Sequence, residues 1–273
     1  MSVRDYSKLA EKIVFKSKEL GADLVGFSNV EVLKKSPSHQ ISENMPEFDN
    51  VAAKQVEGRK TGVVDWPEAG KSVIIIALNH PSEKPELDWW ILGGKSKSGN
   101  TPGNRILMSI MKKLRGWLEN EGIKCFPMPY HIELGGIYMK DTAVLAGLGC
   151  VGKNNMLITP EFGPRQRLRA MIIDREISST GPIEFDPCDS CDMPCRKACP
   201  VKAFDEQLYT SEEYGLEELP GRTGVYSRPL CSAIMDAACD NFEPIEIEGQ
   251  DEPGKRAIFC RECELACPVA VTT

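Results

Sequence analysis

Seven cysteines near the C-terminus fall into two matched runs: Cys188, Cys191, Cys195 and Cys199-Pro200-Val201, then Cys260, Cys263 and Cys267-Pro268-Val269. Each run ends in Cys-x3-Cys-Pro-Val, so this part of the chain is a degenerate internal repeat. Proline after the last cysteine stops a helix from continuing and turns the chain away. Cys-x2-Cys spacing closed by Cys-Pro is a pattern that ligates paired iron–sulfur clusters, the cysteine before proline serving the other run's cluster. Two cubane clusters take about eight thiolates. The runs supply seven, and Cys231 and Cys239, lying between them, are the candidates for the eighth. Structural zinc is the rival, but its sites usually separate two Cys-x2-Cys pairs with a spacer and do not end in Cys-Pro. A disulfide framework would need an oxidising compartment. The N-terminus MSVRDYSKLAEK shows no apolar export core and no twin arginine, so the expectation is a cytoplasmic protein handled anaerobically.

The cysteine runs use only the last third of 273 residues, so something else must use the electrons. No stretch approaches the roughly 20 apolar residues of a membrane span. A formal net charge of -7 argues against a broad nucleic-acid-binding surface, and nucleic acid is not an expected partner. Residues 205–218 carry six acids without a Lys or Arg, and residues 240–252 carry six more. These are either solvated loops or a docking face for a basic electron-transfer partner.

Tyr6 to Leu20 reads as an amphipathic helix closed by Gly21, and Leu24 to Phe27 as a short strand. Residues 29–67 lack periodicity. Lys71 to Leu78 has the uninterrupted apolar run of a strand covered on both faces. Residues 81–103, including Trp89-Trp90, read as a long loop, and Arg105 to Glu121 as a helix with Ile106, Ile110, Leu114, Trp117 and Leu118 on its stripe and Met108 and Met111 in the core. Met156-Leu157-Ile158 and Ala170 to Ile173 read as strands. Arg165, Arg167 and Arg169 alternate onto one strand face that is either solvated or holds an anionic tail. The fold class is α/β (α+β), a layered domain over 1–180 followed by a cysteine-bearing domain over 181–273.

Residues 146–155 contain G-x-G-x-x-G, but Lys-Asn-Asn and a strand follow where a dinucleotide site needs a helix. Close glycines imply backbone pressed against something flat or bulky. The stretch AGLGCVGKNNMLITPEFGPRQRL, with the double cysteine motif after it and KELGADLVGFS and KSVIIIALNH before it, resembles the epoxyqueuosine reductase and reductive dehalogenase family. The resemblance implies a nitroreductase-like layered domain holding a base-off cobalamin, then a ferredoxin-like domain with two 4Fe-4S clusters. Cys188, Cys191, Cys195 and Cys267 would bind one cluster, and Cys199, Cys231, Cys260 and Cys263 the other, Cys231 being preferred for its Arg-containing approach from Tyr226. Gly147, Gly149, Cys150, Gly152, Lys153 and Asn154 would line the corrin ring. Two departures stand out: Asp192-Met193-Pro194 puts three residues between cysteines where the family usually has two, and the family's substrate-side acid does not align.

A reductase needs a proton source within hydrogen-bond reach of the reacting centre. His131, Glu133, Tyr138 and Asp141 lie beside the expected cofactor loop and are the candidate catalytic residues. The leading expectation is a cobalamin-dependent iron–sulfur reductase, fed by a ferredoxin- or flavodoxin-type donor and acting on a small molecule or a corrinoid protein. The alternatives are a non-enzymatic corrinoid-reducing or corrinoid-handling protein and a flavin-dependent nitroreductase-like enzyme.

Overall fold

Val73, Ile74, Ile75, Ile76 and Ala77 are all fully enclosed, as an uninterrupted apolar run requires of a strand packed on both faces. The computed structural model describes residues 8–42, 57–60, 62–93, 96–247 and 252–271. Strands β1 (Leu24–Asn29), β2 (Ser72–Asn79), β5 (Cys125–Pro127) and β8 (Gln166–Ile173) form an antiparallel sheet in the order β1-β2-β8-β5. Side-chain alternation sends Ile74, Ile76 and Leu78 to one face, where with Phe27, Met171 and Ile173 they meet α1 (Lys8–Glu19) and α4 (Pro102–Asn120). Val73, Ile75 and Ala77 go to the other face and, with Ala170 and Ile172, meet α2 (Val30–Leu33) and α5 (Met139–Leu145). Each fully buried Ile or Phe contributes roughly 1.5–3 kcal/mol to holding these layers together.

The sequence readings shift in several places. Helix α1 is described from Lys8, and Tyr6 lies outside the described residues. The buried stripe of α4 is Leu107, Ile110, Met111, Leu114 and Leu118, while Ile106 and Met108 are 42% and 46% exposed. Thr101 accepts from the Asn104 amide and starts the helix at Pro102, and the face packed on the sheet is the one that carries Leu107, Ile110, Leu114 and Leu118, so Ile106 and Met108 turn outward. Within 29–67, the described residues form α2, capped by Asn29, and α3 (Pro37–Ile41).

The expected loop over 81–103 is instead a one-turn 3-10 helix (Pro85–Asp88) followed by β3 (Trp89–Gly93) and β4 (Ser96–Asn100). β3 and β4 pair antiparallel as a local hairpin, which a remote strand extends. β3 pairs antiparallel with β10 (Gly254–Ile258), which also pairs with β9 (Glu243–Ile245). Arg256 stacks on Trp89 at 4.3 Å, and Trp90 meets Phe259 at 6.0 Å. This second sheet joins chain from both sides of residue 180.

The remaining elements are a two-stranded ribbon, β6 (Cys150–Val151) and β7 (Leu157–Ile158), and the helices α6 (Pro194–Lys197), α7 (Ser211–Tyr214), α8 (Arg228–Asp240) and α9 (Glu262–Leu265). The internal repeat is visible in the backbone. Helix α6 carries Cys195 and α9 carries Cys263, the two helices pack together, and each Cys-Pro-Val is followed by a left-handed residue, Lys202 (φ 51°) and Ala270 (φ 54°). The extra residue of the first run is absorbed by Met193, left-handed at φ 55° just before α6. Among the described residues no helix is long and apolar enough to cross a membrane.

Candidate functional site

The fold gathers eight of the eleven cysteines into two groups. Burial first, then Cys267, Cys188 and Cys191, pushes the Cys195 thiol up, and Cys267 in turn feels Cys188 and Cys191. Burial and then Cys231, Cys260 and Cys199 push the Cys263 thiol up to about 12. Cys260 has the same neighbours, Cys231 and Cys199. Cys239 has only Asp236 and Asp240 beside it and stands apart. Among the described residues no three His, Cys, Asp or Glu side chains converge closely enough to hold a single metal ion.

The glycine segment serves these groups from outside. A Cβ at Gly149 would lie 1.9 Å from the Ile158 carbonyl oxygen, one at Gly147 2.5 Å from that of Thr180, and one at Gly152 2.7 Å from the Ile158 side chain. The flat partner expected for these glycines is thus the chain's own backbone across the β6–β7 ribbon and at residues 180–181. Lys153 and Asn154 also turn to the protein: the Lys153 carbonyl accepts from Arg196 (2.7 Å), its ammonium donates to the Asp189 carbonyl, and Asn154 donates to the Cys263 carbonyl. Cys150 is half-buried beside Cys188 and the Asp186–Arg222 ion pair. Replacing Gly149 by Val should lower the unfolding midpoint measured by circular dichroism, because the ribbon must open to admit the side chain.

The arginine face is neither solvated nor vacant for an anionic tail. Arg167 pairs with Asp88 and Glu264, both at 2.9 Å, Asp88 also meets Arg261 (2.9 Å) and His80 (2.9 Å), and Arg165 reaches the Cys267 and Val269 carbonyls. Burial works against the Asp88 charge, but His80, Arg167 and Arg261 outweigh it and hold its carboxyl below the ordinary range. Arg169 instead hydrogen-bonds Asn104 and stacks on Tyr130 at 5.3 Å.

Among the buried side chains with an atom that has no hydrogen-bond partner is Glu133, in which both carboxyl oxygens lack one. It sits in a single 3-10 turn (Ile132–Leu134) closed by left-handed Gly135 and is 1% exposed. A buried, unpaired polar group is costly and calls for a ligand or a chemical role. His131 adjoins it and is held below its usual range by burial, against the pull of Glu133. Arg228 lies by Glu133, Tyr226 and Cys231, and the buried Tyr226 hydroxyl contacts both Arg228 and the Cys231 thiol. Tyr226 therefore links one cysteine quartet to Arg228, whose charge is felt by the Glu133 carboxyl.

Two other expected catalytic groups have structural partners. Asp141 accepts from the Ser38 amide (2.8 Å) and hydroxyl (2.6 Å), fixing the start of α3. Tyr138 lies edge-on to His39 at 4.9 Å, and burial pushes its hydroxyl up to about 12. Sequence reasoning missed Lys140 and His39, and it took Tyr226 and Arg228 only as the approach to Cys231. The Lys140 ammonium donates to the Asn155 carbonyl (2.6 Å) and side chain (3.0 Å), and burial lowers it to about 8. Burial, opposed by Asp141, lowers His39 from 6.5 to about 4. Between those values the unfolded chain binds a proton that the folded chain does not, so stability falls as the pH drops through that window. Urea midpoints at pH 7 and pH 5 should therefore differ, and less so in a His39→Gln variant.

No protein-family model matches the chain. It is 24% identical over 275 residues to the epoxyqueuosine reductase of Bacillus anthracis, covering 97% of this chain and 65% of that protein. The chain is epoxyqueuosine reductase- and reductive dehalogenase-like. It thus spans about two thirds of the length of the epoxyqueuosine reductase it matches. An epoxyqueuosine reductase solved with a tRNA-Tyr epoxyqueuosine-modified stem loop has a TM-score of 0.62 at 21% identity, covering 96% of this chain and 65% of that one. A structure described for B12-dependent dehalogenation, from a reductive dehalogenase, has a TM-score of 0.51 at 17% identity, covering 97% and 34%. The solved structures share the mixed helix-and-sheet fold. Epoxyqueuosine reductase-like proteins include one that holds an RNA stem loop, so the expectation that nucleic acid is not a partner is corrected. Net charge misled there because it sums over the surface, whereas one stem loop needs only a local contact.

Proposed function

We propose that this chain is an iron–sulfur reductase of the epoxyqueuosine reductase type, whose substrate is epoxyqueuosine carried in a tRNA stem loop. The observation that carries the reading is that Tyr226 hydrogen-bonds Cys231 and Arg228, and that the Arg228 charge is felt by Glu133, whose buried carboxyl oxygens have no hydrogen-bond partner. Electrons arriving at the second quartet would emerge beside a carboxyl that has no other partner.

Cys188, Cys191, Cys195 and Cys267 fit one 4Fe-4S cluster, and Cys199, Cys231, Cys260 and Cys263 the other, in a ferredoxin-like unit set against a nitroreductase-like layered domain. Soft thiolate sets of this kind suit iron–sulfur clusters, and the grouping follows the mutual neighbours of the thiols. When bound, such clusters accept and pass single electrons. The chain's own groups do the rest: Ala203 donates its amide to the Cys199 sulfur (3.3 Å), Asn154 and Arg165 hold the carbonyls of Cys263 and Cys267, and Glu133 with His131 supplies protons. A cobalamin is the group that the dehalogenase relationship brings to the reading. Segment 147–152 does not fit it as a ring platform, since its open sides are filled by residues 158 and 180–181.

The test is an anaerobic assay of the reconstituted chain with cobalamin, a low-potential chemical reductant and an epoxyqueuosine-modified stem loop. Conversion of the nucleoside, read by mass spectrometry, is the expected result. An unchanged nucleoside under conditions where a full-length epoxyqueuosine reductase turns over would overturn the substrate assignment.

A further inference from the structure

We propose that Arg165 is the positioning residue for Cys267, the thiol that crosses from the second cysteine run to the first cluster; the inference rests on the cluster reading above. Arg165 is 7% exposed and lies where strand β8 begins. One guanidinium nitrogen donates to the Cys267 carbonyl (3.2 Å) and the other to the Val269 carbonyl, so a single side chain spans the Cys-Pro-Val turn. Its own carbonyl is tied to the layered domain by the His80 amide (2.9 Å). The approach is close enough that a Cβ on Gly163 would lie 2.3 Å from the Val269 carbonyl oxygen and 3.0 Å from the Arg165 guanidinium.

Next along the strand, Arg167 with Asp88, Arg261 and Glu264 grips α9 from the same side. The central sheet thus sets the position of the one ligand that the first quartet borrows from far along the chain. The guanidinium also places a fixed positive charge beside Cys267. Cluster potentials follow net charge and hydrogen bonding around the sulfurs, and a nearby cation favours the reduced, more negative state. Arg165 therefore both sets the geometry of that cluster and raises its potential.

Arg165→Gln and Arg165→Lys variants of the whole chain, reconstituted anaerobically, test this by redox titration followed by electron paramagnetic resonance, with Cys267→Ser marking which signal belongs to the first quartet. In Arg165→Gln, the signal that Cys267→Ser perturbs should move to lower potential or be lost, with the other signal unchanged. Arg165→Lys, which keeps the charge but not the two-pronged grip, should recover the potential while the line shape stays altered. Wild-type potentials and line shapes in Arg165→Gln would overturn the proposal. So would a change confined to the signal marked by Cys231→Ser. If Arg165→Gln does not fold, a wild-type potential and line shape in Arg165→Lys overturns it alone. Failure of the wild-type chain to take up any cluster would instead defeat the cluster reading on which the proposal rests.

Discussion

Replacing Cys231 with Ser should remove roughly half of the iron bound after anaerobic reconstitution, since two cubane clusters share about eight irons, whereas Cys239→Ser should remove none. Both cysteines lie on α8, and a helix rises about 1.5 Å per residue, which sets them ~12 Å apart along its axis. Cys231, in the first turn, is in hydrogen-bond contact with Tyr226 and keeps company with Cys199, Cys260 and Cys263. Cys239, in the last turn, faces Asp236 and Asp240, which would repel an anionic cluster. The signal that survives in Cys231→Ser should be the one lost in Cys267→Ser. Iron loss from Cys239→Ser alone would show that the eighth ligand has been misassigned.

The second large effect belongs to the unsatisfied carboxyl. A His131→Ala, Glu133→Gln double variant should keep its clusters, since neither residue touches a cysteine, yet lose the reduction of its nucleoside. Removing a general acid typically costs ~100- to 10,000-fold in rate. Glu133→Gln alone separates chemistry from folding: it keeps the size and shape of a buried side chain whose oxygens make no hydrogen bond, so the unfolding midpoint should hold while turnover falls. An unchanged rate in the double variant would place the proton source elsewhere, with Lys140 the next candidate on its buried ammonium.

The grouping of the cysteines was legible in the chain because it is written in their spacing. Cys-x2-Cys and Cys-Pro fix local geometry, and the structure groups the cysteines as their repeat implies, including the crossing of Cys267 and Cys199. Strand β2 was legible for a similar reason, as its burial on both faces is stated by its own residues. What escaped depended on remote partners. Trp89 and Trp90 pair with β10, which arrives from residues 254–258, and nothing local announces that pairing. The glycines at 147, 149 and 152 correctly signalled close approach, but the object approached was Ile158 and residues 180–181 rather than a ligand. Asp141 and Glu133 look equivalent in sequence. Ser38, a hundred residues away, satisfies one and leaves the other unpaired.

The central claim, two thiolate quartets holding two cubane clusters, is tested most directly by counting iron and acid-labile sulfide per chain beside a visible spectrum after anaerobic reconstitution. The account predicts about eight of each with broad absorbance that bleaches on reduction. Stoichiometric zinc, with no sulfide and no visible absorbance, would contradict it.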